Sequence, residues 1–529
     1  MEKENMQNSG EIAAYVKDGR IYSPAQVSEM GLKGAEPLGL DTEVGHAVYE
    51  KSLIMLLAAA VKSLYPHAEL NVEHTIDTGL FCTLEDRSFP IIKIEHVERI
   101  KERMIDMVSR DLPFTSIKNP DKGEVSAIFK KEGVPEKIGL YEEMMCTSLN
   151  TLDGMVYDYG VFNTLGSTAK LKVFDLLYYP PGLILKMPLI TDHGRLAPFK
   201  ERTKLFRIHH EFKEWAEILR MEDVTSLNNQ IENGKFREMI LVSEAMQERN
   251  ILEIAESIAK NTHRSRLILI AGPSSSGKTT FSKRLSIYLR SMGIDPVAIA
   301  MDDYFLPWER TPRDETGKMD FESVESIDIE LFNEQMITLL EGGEITLPKY
   351  DFLNGKRETG EGLRIRYDQP IIIEGIHGLN PALTKFIPDN LKFKIYISAL
   401  TQLNMDNYNR IKTTDVRLIR RIVRDAQFRG HTAGETIKMW SDVRRGEDKY
   451  IFPYQESADL MFNSSLPYEI PVLKKTALRF LEQVGKNEPE YMKASALVSI
   501  LRLFHEIDPF YTPKTSIIRE FVGNSIFEY

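Results

Sequence analysis

The run LILIAGPSSSGKTTFSKRL, residues 267–285, constrains this chain more than any other stretch. An apolar segment of strand-like character ends in a Gly/Ser turn. A Lys, two Thr and helix-forming residues follow. Residues 272–279, GPSSSGKT, fit G-x-x-x-x-G-K-[ST]. In that pattern the glycines let backbone N–H groups converge on a phosphate chain. Lys278 reaches the β- and γ-phosphates, and the Thr279 hydroxyl is offered to Mg²⁺. The helix that follows adds its positive N-terminal end. Gly272, Pro273, Ser274, Ser275, Ser276, Gly277, Lys278, Thr279 and Thr280 are therefore expected to hold a nucleotide. The loop alone does not distinguish hydrolysis, phosphoryl transfer and switching.

The pattern around the loop sets the fold class. LILIA, PVAIA, PIIIEG and FKIYIS read as apolar strands, with helices expected over 278–292 and 328–341. Buried strands alternating with helices imply a parallel sheet covered on both faces. Upstream, residues 11–40 read as short strand-like pieces. Val48, Leu53, Leu56, Leu57, Ala60, Val61 and Leu64 carry helical spacing over 46–64, which Pro66 ends. Residues 200–260 are charged and read as helices. The chain has 529 residues, so about three domains are expected. A net charge of −11 with no Lys/Arg block argues against nucleic acid as a partner. Two cysteines, Cys82 and Cys146, exclude a disulfide framework. The polar start has no leader-like apolar region, and the apolar run 52–61 is too short for a bilayer. A soluble, cytoplasmic protein with no membrane contact is expected, and a homo-oligomer.

Ligands of a parallel sheet bind outside the carboxyl ends of its strands. Asp302 and Asp303 end one strand and Glu374 another. A carboxylate there can hold Mg²⁺ or accept the proton of an attacking hydroxyl. In DVRLIRRIVRD, Arg417, Arg420, Arg421 and Arg424 fall at i, i+3, i+4 and i+7, one cationic stripe on a helix. The expectation is a lid that neutralises charge on transferring phosphates. No GTPase-like switch pattern is evident.

GPSSSGKTTFSKRL, MDDYF, MDFESVESID, LPKYDF, IIIEGI and RLIRRIVRDAQFRG, in this order over about 265–470, resemble the uridine kinase family of the phosphoribulokinase/uridine kinase superfamily. The resemblance implies an α/β P-loop NTPase fold and an ATP- or GTP-dependent, Mg²⁺-assisted kinase. Its acceptor would be a nucleoside 5′-hydroxyl, uridine first and cytidine next. It implies Asp302 as general base, with Lys278 and Arg424 on the transferring phosphate and Arg429 in the lid. Asp320 and Arg421 would bind ribose. Tyr350 and Phe352 would line the nucleoside pocket. Thr279 and Glu374 would lie at Mg²⁺. Two positions depart from the family pattern. Gly355 stands where a base-contacting His is common, and His431 where the lid commonly has Arg. Both touch base recognition, which leaves Asn354 as a candidate reader and a loose pocket as the expectation.

In the front half, KSLIMLLAAAVKSLYPHAEL followed by DTGLFC resembles the editing domain of threonyl-tRNA synthetases, and AAYVKDGRIYSPAQV resembles the tail of the TGS domain before it. That family carries His-x-x-x-His on the helix; here the positions are Lys51 and Met55. The later Cys…His pair has no match near TLDGMVYDYG. His46, His67 and His74 fall at none of the expected spacings and read as surface or satisfied histidines. The resemblance implies an α+β editing-like domain without editing chemistry or zinc. The expected organisation is a shortened TGS-like segment (1–45), the editing-like domain (46–200), a helical connector (201–262), the kinase domain (263–474) and a helical extension (475–529). The rivals are a kinase of another hydroxylated metabolite and, from another class, a tRNA-binding module with an attached ATPase.

Overall fold

The computed structural model describes residues 12–529 except 18, 19, 24–26, 28–30, 90, 162, 191–193, 262–264, 353 and 402. The polar start, parts of the TGS-like stretch and the expected boundary at 262–264 lie outside the described residues.

The front half is α+β. Strands β1 (Ile12–Lys17), β2 (Arg20–Tyr22) and β3 (Glu36–Gly39) pair antiparallel in the order β2-β1-β3. Helix α1 (Glu43–Leu64) starts where Thr42 accepts the Gly45 N–H at 3.0 Å. It stops before Pro66. The run of ten apolar residues understates this helix. It is 22 residues long and, by length and composition alone, long enough to cross a membrane. It is instead a core helix, buried from Val48 to Val61. Glu50 and Lys51 break the apolar run, yet both are buried through ion pairs.

Next come β4 (Glu69–Ile76), β5 (Gly79–Glu85), α2 (Ile94–Ser109), β6 (Phe114–Lys118), α3 (Lys122–Glu132), α4 (Lys137–Glu143), β7 (Ser148–Leu152), β8 (Val156–Tyr159), β9 (Asp175–Tyr179) and β10 (Gly182–Lys186). They form two antiparallel sheets, β4-β5-β10-β9 and β6-β7-β8. Helices α1 and α2 cover one face of the larger sheet through Leu56, Leu57, Ile100 and Met104. Its other face, Ile76, Phe81 and Ile184, packs against Phe206 of α5 (Thr203–Leu219).

Helices α6 (Val224–Glu232) and α7 (Phe236–Lys260) lead to the second half. There follow β11 (Leu267–Ala271), α8 (Lys278–Ser291), β12 (Val297–Ala300), α9 (Ile329–Leu340), the hairpin β13 (Glu344–Asp351) and β14 (Lys356–Arg364), β15 (Ile371–Glu374) and β16 (Lys392–Ser398). Then come α10 (Thr413–Phe428), α11 (Ala433–Tyr450), β17 (Leu460–Asn463), α12 (Glu469–Leu481), α13 (Tyr491–Arg502) and the short α14 (Arg519–Val522). Five strands make one parallel sheet in the order β12-β15-β11-β16-β17. The central strand β11 is completely buried because both faces are covered. Ile254 and Ile258 of α7 and Leu497, Leu501, Phe504 and Ile517 of the C-terminal stretch share one core with Phe281 and Leu285 of α8. The connector and the extension are therefore walls of the kinase core. The sequence reads them as helical but does not say which surface receives their apolar faces.

Candidate active site

The loop after β11 lies where strand order reverses, between β15 and β16. Its path is tight. Ser275 and Gly277 adopt φ of +58° and +82°. A Cβ at Gly272 would sit 2.0 Å from the Ile397 carbonyl oxygen of β16.

The loop backbone is braced from behind. Glu447 of α11 accepts the Ser274 N–H at 3.0 Å and ion-pairs with Arg417, whose Nε donates to the Ser274 carbonyl at 3.1 Å. Arg420 ion-pairs with Glu469 and donates to the Ser275 carbonyl at 3.3 Å. Arg417 and Arg420 are fully buried, which corrects the expectation of a four-arginine lid stripe. Two of the four hold the loop's shape. Their partners lie 30 and 49 residues away in sequence, so helical spacing could not reveal the pairing. Arg421 faces the loop, donating to Ser274 Oγ at 2.8 Å and pairing with Asp425 at 3.2 Å. Arg424 also pairs with Asp425, at 2.8 Å.

In front of the loop, the Thr279 hydroxyl lies 3.1 and 3.2 Å from the two Glu374 carboxylate oxygens. Burial pushes the Glu374 carboxyl up to about 7; Lys278 opposes the rise, and Asp302 and Glu520 add to it. Burial lowers the Lys278 ammonium against the pull of Glu374, Glu520 and Asp302. Asp302 sits in the turn just past β12, its side chain exposed although protein crowds around it. That surrounding protein raises its carboxyl, opposed by Lys278 and Arg429. Asp303 points elsewhere and accepts the Tyr350 N–H at 3.2 Å. The hydroxyls of Ser275 and Ser276 are buried with no protein partner. Orphan hydroxyls, converging N–H groups, a Lys and a Thr–Glu oxygen pair fit a nucleotide phosphate chain with a hard divalent cation.

Residues 302–322 and the β13–β14 arm carry the positions expected on the acceptor side. The Asp320 carboxylate accepts the Glu322 N–H at 3.1 Å. Glu322 is absent from the sequence-derived candidates. Burial lifts its carboxyl to about 7, opposed by Arg421 and reinforced by Glu447 and Asp320. Tyr350 is buried and its hydroxyl donates to the Leu306 carbonyl at 3.1 Å, whereas Phe352 is exposed. Gly355 has φ +61°, and a Cβ there would lie 2.0–2.2 Å from the Trp308 ring. Trp308 thus occupies the place that a side chain at 355 would need. Its position follows from a contact across 47 residues of sequence. Asn354 spends its amide on Asp351 at 2.6 Å. Arg429 and His431 are exposed beyond the end of α10.

The front half carries a different polar cluster. Lys51 pairs with Asp158 and donates to Asn409 Oδ1 at 2.6 Å. Lys137 lies 3.6 Å from Asp158 and 3.5 Å from Asp406. Asn409 Nδ2 donates to both aspartates, at 3.1 and 3.0 Å. Asp158 is held below the usual carboxylate range by Lys137 and Lys51 despite its burial. Met55 is buried among apolar neighbours. His46 contacts the Pro188 carbonyl at 2.9 Å. His74 corrects the surface-or-satisfied expectation. It is buried without a hydrogen bond to either ring nitrogen, and it stacks on His209 at 3.7 Å. Burial and His209 hold it well below its ordinary range, hence neutral. Both line a cavity of about 590 Å³ between β4–β5 and α5. Glu69, Glu73, Glu85 and Asp86 are in its wall, a poor lining for phosphate and far in character from the loop at 272–280.

Fold and site together define a P-loop kinase: a parallel sheet with a phosphate-binding loop, a Lys and strand-end carboxylates. The chain belongs to the phosphoribulokinase/uridine kinase family, whose model matches residues 267–469. It is 29% identical over 198 residues to a uridine kinase of Borreliella burgdorferi, covering 37% of this chain and 85% of that protein. It is 30% identical over 200 residues to a uridine kinase of Borrelia duttonii, with the same shares covered. A solved structure described as a possible uridine kinase from Bacillus stearothermophilus is 23% identical with a TM-score of 0.28, covering 41% of this chain and 98% of that one. The chain is thus an ATP-dependent kinase.

Proposed function

We propose that this kinase phosphorylates the 5′-hydroxyl of a nucleoside, uridine first and cytidine next, with ATP or GTP as donor and Mg²⁺ as cofactor. The observation that carries the reading is the meeting of Lys278, Asp302 and the Thr279–Glu374 pair at the carboxyl ends of three neighbouring strands, β11, β12 and β15. The names of the relatives support the same acceptor. Asp302, in the turn just past β12, accepts the proton of the acceptor hydroxyl as it attacks. Lys278 and Arg424 neutralise charge on the phosphoryl group in flight. Thr279 and Glu374 would hold Mg²⁺, which supplies charge neutralisation at the donor phosphates. Asp320 and Arg421 hold the ribose, and Phe352 and Trp308 flank the base. Arg429 closes from the end of α10.

One observation favours a broader acceptor. At Gly355 the Trp308 ring, with only an indole N–H to donate, stands where a side chain at 355 would need to be. A site that hydrogen-bonds its substrate can reject the wrong one by about 10⁴-fold or more, whereas an apolar slot discriminates far less. The second reading is therefore a kinase that takes several nucleosides or a related hydroxylated metabolite. An NDP-release screen over uridine, cytidine, inosine, adenosine, their 2′-deoxy forms and pantothenate tests both. Turnover restricted to a non-nucleoside overturns the first. Preference for uridine over cytidine above about 10³-fold overturns the loose pocket.

The front half completes the proposal as an editing-like domain that has lost its chemistry. Its support is Lys51, which is committed to a buried ion cluster where the editing pattern has histidine. It binds no structural zinc and deacylates no tRNA. A homo-oligomer in the cytoplasm, without nucleic-acid or membrane partners, belongs to the same proposal.

A further inference from the structure

Residues 509–529 return to the phosphate loop. Arg519 ties this stretch together by donating to the Pro509 carbonyl at 2.8 Å and to the Thr512 carbonyl. Gln427 of α10 donates to the Phe521 carbonyl at 2.8 Å, and the Arg420 guanidinium lies 5.1 Å from the Phe521 ring. Ile517 packs on Gly277 so closely that a Cβ there would lie 2.5 Å from its Cγ2. Glu520 Oε2 then accepts the Thr280 N–H at 3.3 Å and the Thr280 hydroxyl at 2.7 Å. The Tyr529 hydroxyl lies 2.9 Å from the same Thr280 Oγ1.

Thr280 belongs to the first turn of α8, whose N–H groups have no helical acceptor and are the donors that a loop of this kind turns toward phosphate. A carboxylate already holds one of them. It carries the same sign as a phosphate and benefits from the same helix end. Lys278 also feels Glu520, next in strength after Glu374 among its attractive neighbours. The stretch is bound to the loop by a phosphate-like contact, while Ile517 and Phe521 anchor it in the core. We propose that residues 517–529 form an intramolecular strap in which Glu520 competes with the donor nucleotide for Thr280. Nucleotide binding then requires the Glu520 side chain to turn away from Thr280 and the Tyr529 end to swing off the loop, while Ile517 and Phe521 stay anchored in the core. The inference rests on the reading of 272–280 as the nucleotide seat.

The test is calorimetric binding of Mg²⁺–ADP and Mg²⁺–ATP without acceptor to the full chain. Glu520→Gln keeps the shape and removes the charge. It is expected to tighten both nucleotides by about tenfold or more, the size of one close like-charge contact in a partly screened site. Glu528→Gln, an exposed acid in the same stretch, is expected to change neither. Unchanged or weaker binding by Glu520→Gln overturns the strap, and weaker binding would make Glu520 part of the seat. Hydrogen exchange of the unaltered chain gives an independent reading. Saturating Mg²⁺–ADP is expected to speed exchange of the amides of 524–529, and slowing overturns the strap. Binding of nucleotide to neither protein overturns the nucleotide seat itself, and the strap with it.

Discussion

Two charged clusters in this molecule use nearly the same side chains and come out differently. Around Lys51, two lysines and two aspartates neutralise one another, with Asn409 satisfying both carboxylates, and all are buried. Around Lys278, three carboxylates, Glu374, Asp302 and Glu520, crowd one ammonium, with Arg424 and Arg429 nearby. Glu374 is pushed up to about 7, and buried hydroxyls stay unpaired. A closed cluster pairs its opposite charges within the fold; even Lys137 Nζ, which makes no hydrogen bond, sits 3.5 and 3.6 Å from two carboxylates. An open one is held in an unfavourable state that a ligand of the right charge would relieve. The closed cluster is also a joint. Asp406 and Asn409 belong to the kinase loop after β16, which lies along β4 through the Asn407 carbonyl and the Val72 N–H at 2.8 Å and runs directly into α10.

The comparison breaks most sharply at the two lysines. Lys278→Ala is expected to reduce phosphoryl transfer by about 10³-fold or more. Activity within tenfold of the unaltered enzyme, in the NDP-release assay, would sink the open-cluster reading. Lys51→Met leaves Asp158 and Asp406 to share Lys137, an uncompensated buried charge worth about 3–5 kcal/mol of stability. Denaturant unfolding should show that loss, while kcat per folded molecule stays within about threefold. A stability change below about 1 kcal/mol would mean that the cluster is not closed.

Smaller effects sharpen the contrast inside the open cluster. Asp302→Asn should lower kcat by about 10²-fold with donor affinity nearly intact. Asp303→Asn, whose carboxylate is spent on the Tyr350 N–H, should change kcat far less, and the reverse order would move the base to Asp303. Trp308→Ala should raise the acceptor KM by about tenfold with little change in kcat, if the ring stacks on a base. An unchanged KM would remove Trp308 from the pocket.

The pH response is the smallest. Glu374 has its folded pKa raised above the ordinary value, so the folded chain keeps a proton that the unfolded chain has lost. Between about pH 4.5 and 7 this carboxyl, and Glu322 likewise, therefore makes stability fall as pH rises. Mg²⁺ needs the carboxylate, so its affinity should fall as pH drops below about 7 and its binding should release a proton. Calorimetry in buffers of different ionisation enthalpy measures that proton. No release at pH 6.5 would remove Glu374 from the metal site.

Much of the kinase half was legible in the sequence. Strand–loop–helix order, the loop residues 272–280 and the strand-end acids Asp302 and Glu374 are local patterns, because phosphate binding at a sheet edge needs backbone turns and short spacings. The helices of 201–260 were visible from their charged composition, which is likewise a local property. Only the tertiary structure decided which arginines of α10 are spent inside the fold, since Glu447 and Glu469 arrive from other helices and bury Arg417 and Arg420. It alone brought Trp308 over Gly355, Lys51 onto Asp158 and Asn409, and Glu520 onto Thr280. Local periodicity records which way a side chain points along its own element. Contacts among residues tens to hundreds of positions apart depend on how the elements pack, and packing decides which charges are neutralised and which remain for chemistry.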